Sequence, residues 1–134
     1  MSGLVLKLGP RERILINGAV IENGDRRSRL NIVTPNANIL RLKDAIHPDE
    51  ANTPVRRVCY ITQLVLSGDV DPDEGEKQIA AGIAQLSQAF TDADSLEQLR
   101  SAAVTASAGQ FYQALKHLRS LLPTEAHLLN LPPS

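Results

Sequence analysis

Over the first 50 residues, apolar positions come in short runs separated by turn residues; beyond them they recur at spacings of three and four. Short runs rich in Val, Ile and Leu predict strands, because β-branched side chains pack well on a pleated surface. The runs are LVLKL (4–8), RILI (13–16), AVIE (19–22), RLNIV (29–33) and ILRLK (39–43), so five short strands are expected. Asn17-Gly18, between the second and third, tolerates positive φ and suits a two-residue type I′ hairpin. Gly9-Pro10 closes the first run, and NGDR (23–26) and TPNAN (34–38) separate the later ones.

After HPDEANTP the pattern turns helical. Thr53 is the expected N-cap with Pro54 at the first helical position, and Val55, Val58, Cys59, Thr62 and Val65 form one stripe of a helix running to about Ser67. Asp71 caps a second helix that Pro72 opens, with Asp73, Glu74 and Glu76 where the helix dipole favours negative charge. Its core-facing stripe is Ile79, Ile83, Leu86 and Phe90. Asp92 or Asp94 starts a third, alanine-rich helix through Leu96, Leu99 and Ala103. Gln110 to Leu122 predicts a fourth through Phe111, Leu115, Leu118 and Leu122, stopped by Pro123, with LLNLPPS frayed or docked behind it. The expected fold class is α+β: an antiparallel β module over residues 1–50, then a module of about four helices over 51–134, packed as one compact unit.

Charge divides the chain the same way. Up to Arg57 there are ten Lys/Arg against six Asp/Glu, a balance of +4, and from Val58 onward four against nine, a balance of −5. Such asymmetry points to an anionic partner for the front half, or to front and back halves meeting across an interface, as in a homodimer. At 134 residues and 43% hydrophobic content, the chain is long enough for one core. A single cysteine excludes an intramolecular disulfide, and no run reaches the roughly 18 apolar residues of a membrane span. The opening MSGLVLKLGP has no long apolar segment and no cleavage site, so a cytoplasmic location is expected.

Catalytic signatures are missing. Neither a Gly-x-Ser-x-Gly elbow nor a Gly-x-x-x-x-Gly-Lys-Ser/Thr loop occurs, and an enzyme is not expected. His47, His117, His127 and Cys59 have no metal-ligand spacing, so neither a metal nor a cofactor is expected. Cys59 reads as a core residue, and His47 beside Pro48 as a local cap.

The basic residues remain. With strand alternation, Arg29 and Asn31 lie on the face opposite Leu30 and Ile32, and Arg41 and Lys43 opposite Leu40 and Leu42. Cations so placed either keep strand edges soluble or form a binding surface. Their density favours binding: Lys7, Arg11, Arg13, Arg26, Arg27, Arg29, Arg41, Lys43, Arg56 and Arg57 fall within 51 positions. Guanidinium groups suit phosphates and base edges. The aromatic residues, Tyr60, Phe90, Phe111 and Tyr112, all lie in the predicted helices, which excludes a sheet that stacks bases. No basic recognition helix is present either, leaving single-stranded or hairpin RNA as the expected ligand. The expected contacts are Lys7, Arg11, Arg13, Arg26, Arg27, Arg29, Arg41 and Lys43.

The strings INGAVIENGDRR, TPNAN and ANTPVRR, together with GQFYQALKHLR in the helical part, resemble the FlbT family of flagellum biosynthesis repressors. The resemblance implies a post-transcriptional repressor. Such a protein binds the 5′ untranslated region of flagellin mRNA and promotes its degradation, coupling flagellin synthesis to flagellum assembly. LVLKLGPRERILINGAVIE and RLNIVTPNANILRLKDAI also resemble the carbon storage regulator CsrA, a five-stranded dimeric RNA binder without a helical half. Gly9-Pro10-Arg11-Glu12, Thr34-Pro35 and Lys43-Asp44-Ala45-Ile46 carry this second resemblance. It implies that RNA is held along Leu4 to Lys7 and Arg41 to Lys43. The alternative is a protein–protein adaptor whose helical half binds a flagellar regulatory protein or a chaperone.

Overall fold

The computed structural model describes residues 4–17, 19–35, 37, 39–42 and 45–130. Within them run β1 (Leu4–Leu8), β2 (Arg13–Ile16), β3 (Ala19–Glu22), β4 (Ser28–Ile32) and β5 (Ile39–Arg41). The helices follow: α1 (Pro54–Leu66), α2 (Pro72–Ala89), α3 (Ala93–Ser107), α4 (Phe111–Arg119) and α5 (Leu122–Leu128). The fold is α+β, as the sequence predicts. β4 starts and ends one residue earlier than expected, leaving Val33 outside it and 74% exposed. β5 ends at Arg41, and Lys43 lies outside the described residues.

All strand pairings are antiparallel. β1 and β4 form a two-stranded ribbon, and β3-β2-β5 form a three-stranded sheet. In the β2–β3 hairpin Ile16 pairs with Ala19, so two residues separate the strands as expected; Asn17 has φ 50, and Gly18 lies outside the described residues. Central strand β2 buries both faces. Ile14, on one face, packs with Ile39 against Leu6 and Leu8 of the ribbon. Leu15, on the other, lies opposite Leu40, and both join the core formed with the helices. β2 and β5 therefore form a middle layer between ribbon and helices, each side dry because something apolar covers it, while β3 is exposed.

The helices close a ring in which α1 and α3 each touch both α2 and α4. The stripes predicted for α1 and α2 are buried throughout: Val55, Val58, Cys59, Thr62 and Val65, and Ile79, Ile83, Leu86 with Phe90. In α3 the buried line is Ser95, Leu99, Ala102 and Ala106, with Leu96 and Ala103 half-buried on its flank. Thr53, Asp71 and Asp92 cap α1, α2 and α3 as expected, each accepting from a first-turn N–H. His47 caps a 3-10 turn at Pro48–Glu50. Between strands and helices, the Gln63 side-chain amide brackets Ile46, accepting from its N–H (2.7 Å) and donating to its carbonyl (3.1 Å).

The fourth predicted helix is interrupted. The chain turns at Ser120 and Leu121, and Pro123 sits in the first turn of α5 where a stop was expected. Proline is tolerated there because a first-turn N–H has no intrahelical partner to lose. α5 docks through Glu125, which is 6% exposed. Its carboxyl oxygens accept from the Thr53 hydroxyl (2.5 Å) and the Val55 N–H (2.8 Å), satisfying the start of α1 from 70 residues away.

Two glycines set the α1–α2 distance. A Cβ on Gly82 would lie 2.5 Å from Val58 Cγ2, and one on Gly75 closer still to Val65 Cγ2. Each pair is one heptad from the next, so the antiparallel helices meet along a seam of glycine against valine. Cys59 lies nearby, fully buried. Burial pushes its thiol from 9.0 up to about 12, with the Arg119 guanidinium opposing the rise and the Glu125 carboxyl adding to it.

On an exposed helix, Gly→Ala stabilises by about 1 kcal/mol. Gly82→Ala is expected to reverse that sign and destabilise by about 1–3 kcal/mol, because Val58 is stiff at χ1 and cannot step aside. Urea unfolding checks it, and adding Val58→Ala should make the pair less than additive. Glu125→Ala strands two buried donors and should cost about 3 kcal/mol, lowering the melting temperature by about 10 °C in differential scanning fluorimetry. Cys59 should resist iodoacetamide at pH 8 until the chain unfolds. Its folded pKa is raised, so the native state should lose stability as pH climbs from 9.0 toward about 12, measured by denaturant midpoints along the pH series.

Candidate nucleic-acid interface

The turn joining β1 to β2 is built on Gly9-Pro10-Arg11-Glu12. The Glu12 N–H donates to the Gly9 carbonyl at 3.2 Å, and Arg11 adopts φ 61, a left-handed conformation that is costly for a side chain of this size. Two groups hold it there. The Arg11 N–H donates to the Gly24 carbonyl (2.9 Å), and its guanidinium pairs with Asp25 (2.6 Å). The Glu12 carboxyl faces back into the turn, accepting from the Gly9 N–H (2.9 Å) and from Arg41 Nε (2.8 Å).

Asn23 ties this turn to the β3–β4 loop. Its Nδ2 donates to the carbonyls of Gly9 (2.7 Å) and Arg26 (2.9 Å), and its Oδ1 accepts from the Ser28 hydroxyl (2.7 Å). Its main-chain N–H donates to the Glu12 carbonyl at 2.8 Å. The asparagine thus fixes two loops against each other, and the cleft described next lies between them.

That cleft has a volume of about 450 Å³ and is lined by Lys7, Arg27, Arg29 and Arg41, with Glu12, Leu8, Gly9 and Ser28. Lys7 and Arg29 stand directly opposite each other across β1 and β4. Like charges in that position cost about 0.2–1 kcal/mol, a cost that an anion between them would relieve. Arg41 reaches from β5 to the Lys7 main-chain carbonyl and to Glu12, so the first and last strands meet at this side chain. Its side chain is 24% exposed and that of Glu12 10%, so this ion pair is largely withdrawn from solvent. Among the described residues, no carboxylate pairs with Lys7, Arg27 or Arg29.

The other sequence-predicted cations are distributed differently. Arg11 and Arg13 lie outside the cleft, and both bind Glu22, Arg13 Nε at 2.8 Å and Arg11 at 3.4 Å. The Arg13 hydrogen bond and charge, helped by Arg11, hold the Glu22 carboxyl below the usual carboxylate range. Arg26 is exposed beside the cleft without lining it, and Lys43 lies outside the described residues. Asn23, Glu12 and Gly9 carry no charge signal of the kind that singled out the cations. The sequence marks Gly9 and Asn23 by the turn chemistry of Gly-Pro and Asn-Gly, and Glu12 by its place in the Gly9-Pro10-Arg11-Glu12 string. No group of three His, Cys, Asp or Glu among the described residues could hold a metal, and no described helix is long and apolar enough to cross a membrane.

Comparison with known proteins identifies the family. The profile described as flagellar protein FlbT matches residues 4–129. The probable flagellum biosynthesis repressor protein FlbT of Allorhizobium ampelinum is 31% identical over 129 residues, spanning 96% of this chain and 85% of its own. The protein of the same description from Chelativorans sp. is 32% identical over 125 residues, spanning 93% and 83%. The flagellum biosynthesis repressor protein FlbT of Caulobacter vibrioides is 29% identical over 122 residues, spanning 91% and 86%. No solved structure matches. With its strands, its helices and its basic cleft all inside the matched span, the chain belongs to the FlbT family, that of the flagellum biosynthesis repressors.

Proposed function

We propose that this protein represses flagellum biosynthesis after transcription, by binding the 5′ untranslated region of flagellin mRNA through the cleft of Lys7, Arg27, Arg29 and Arg41 and promoting degradation of the message. Flagellin synthesis is then coupled to flagellum assembly. The observation that carries this reading is the apposition of Lys7 and Arg29, with Arg27 beside them and no carboxylate among the described residues neutralising any of the three. Such a cluster holds phosphates, and its long donors reach base edges.

The strands bear no aromatic side chain, so affinity comes from phosphate neutralisation and hydrogen bonding, without stacking. Glu12 contributes by position. It anchors Arg41 at the floor of the cleft and leaves the outer cations free for the ligand. The protein acts by occupancy. RNA cleavage is left to a nuclease.

The test is an electrophoretic mobility shift with a flagellin leader against a scrambled leader at two salt concentrations. Arg27→Ala, Arg29→Ala and Lys7→Ala should each weaken leader binding and lower the log–log salt slope by about 0.7 per lost phosphate contact. Arg13→Ala, whose guanidinium is already paired with Glu22, should change affinity little. Unchanged affinity in all three cleft variants would overturn the assignment of the cleft. Absence of any leader-specific shift would favour an adaptor that binds a flagellar protein through its helices.

A further inference from the structure

We propose that the outer edge of β3 pairs with the same strand of a second copy of this chain, forming an antiparallel, two-fold-symmetric dimer centred on Val20 and Ile21. All four residues of β3 are exposed, with Val20 at 61% and Ile21 at 36%. Neither belongs to the buried clusters on the two faces. Val20 lies opposite Leu15, on the face that α1 covers only over β2 and β5; Ile21 lies opposite Ile14, on the face the ribbon covers. Among the described strands, β3 is hydrogen-bonded to β2 alone, which leaves its outer edge open.

Other edges in this protein are protected and this one is not. β1 carries Lys7 and β4 carries Arg29, charges that discourage strand addition, and β5 is three residues long. The one charge on β3, Glu22, is bound by Arg13 and Arg11. An apolar, charge-neutralised edge is a template for another strand.

The geometry selects a second copy. The two-residue turn makes Ile16 and Ala19 the doubly bonded pair, so Ala19 and Ile21 direct their main-chain groups to β2, while Val20 and Glu22 direct theirs outward. Placing Ile21 on a two-fold axis sets Val20 opposite the partner's Glu22, and each such pair exchanges two hydrogen bonds. The two Ile21 side chains meet at a non-hydrogen-bonded position, where cross-strand neighbours are closest. Glu22 stays off the axis, so no like charges face each other. An isologous contact of this kind also closes, leaving no further β3 edge to extend.

Sedimentation of the full chain should show a dimer at micromolar concentrations. Val20→Lys should weaken it by about tenfold or more with the circular dichroism spectrum unchanged, since Val20 packs against nothing that the fold requires. In a chain otherwise unaltered, Ile21→Cys should form a covalent dimer rapidly on mild oxidation. Opposed non-hydrogen-bonded residues lie about 4.5 Å apart at Cα, within disulfide reach. Val104→Cys, on α3 and more exposed than Ile21, should not form one. A monomer at all concentrations, a dimer indifferent to Val20→Lys, or equal cross-linking of the two cysteine variants would each overturn the proposal.

Discussion

Strand β2 has to be covered on both faces, and most of the architecture follows from how that is done. Ile14 and Leu15 are adjacent, so they point to opposite sides of the sheet, and both are buried. A half-solvated sheet would leave one of them in water. The ribbon of β1 and β4 seals Ile14, and the helical ring, through Leu40 and the core around Val55 and Cys59, seals Leu15. Burying two large aliphatic side chains is worth about 3–6 kcal/mol, a large share of a domain's net stability. The helical part is thus one of the two layers that keep the sheet dry, and the cleft is built on the other.

The cleft owes its character to the way its cations are, and are not, neutralised. Glu22 and Asp25 take up Arg11 and Arg13 on the turn side, and Glu12 holds Arg41 at the floor. Among the described residues no carboxylate pairs with Lys7, Arg27 or Arg29, and two of them face each other across a ladder. An arrangement serving solubility alone would have spread these charges apart. Keeping them together costs a little stability, which an anion placed between them would restore. Asn23 makes the cluster possible by holding the two loops that frame it, so the cleft is shaped by neutral hydrogen bonds as much as by charge.

The helical part is unified by contacts remote in sequence. Glu125 begins α1 from within α5, so the last described helix and the first are completed by the same hydrogen bonds. The glycine–valine seam brings α1 and α2 close enough for their buried stripes to interlock. Membership of the FlbT family extends over strands and helices alike, from residue 4 to residue 129. The two parts are therefore matched together.

The local elements were legible because their signals are local. Turn residues with positive φ, caps one or two residues ahead of a proline, and periods of two or three to four act within a few positions. They placed β1, β2, β3, α1 and α2 to within a residue. Sequence by itself also determined that the front of the chain is basic and without aromatics, since composition needs no fold. What it could not reach were relations between residues far apart. The break between α4 and α5 depends on Glu125 finding the start of α1, and a proline is as compatible with starting a helix as with ending one. Eight cations looked alike in the sequence, but only the tertiary structure decided which were paired with a carboxylate and which lined one cleft. Coulomb energy depends on distance in space, and chain separation does not predict that distance between strands of different sheets.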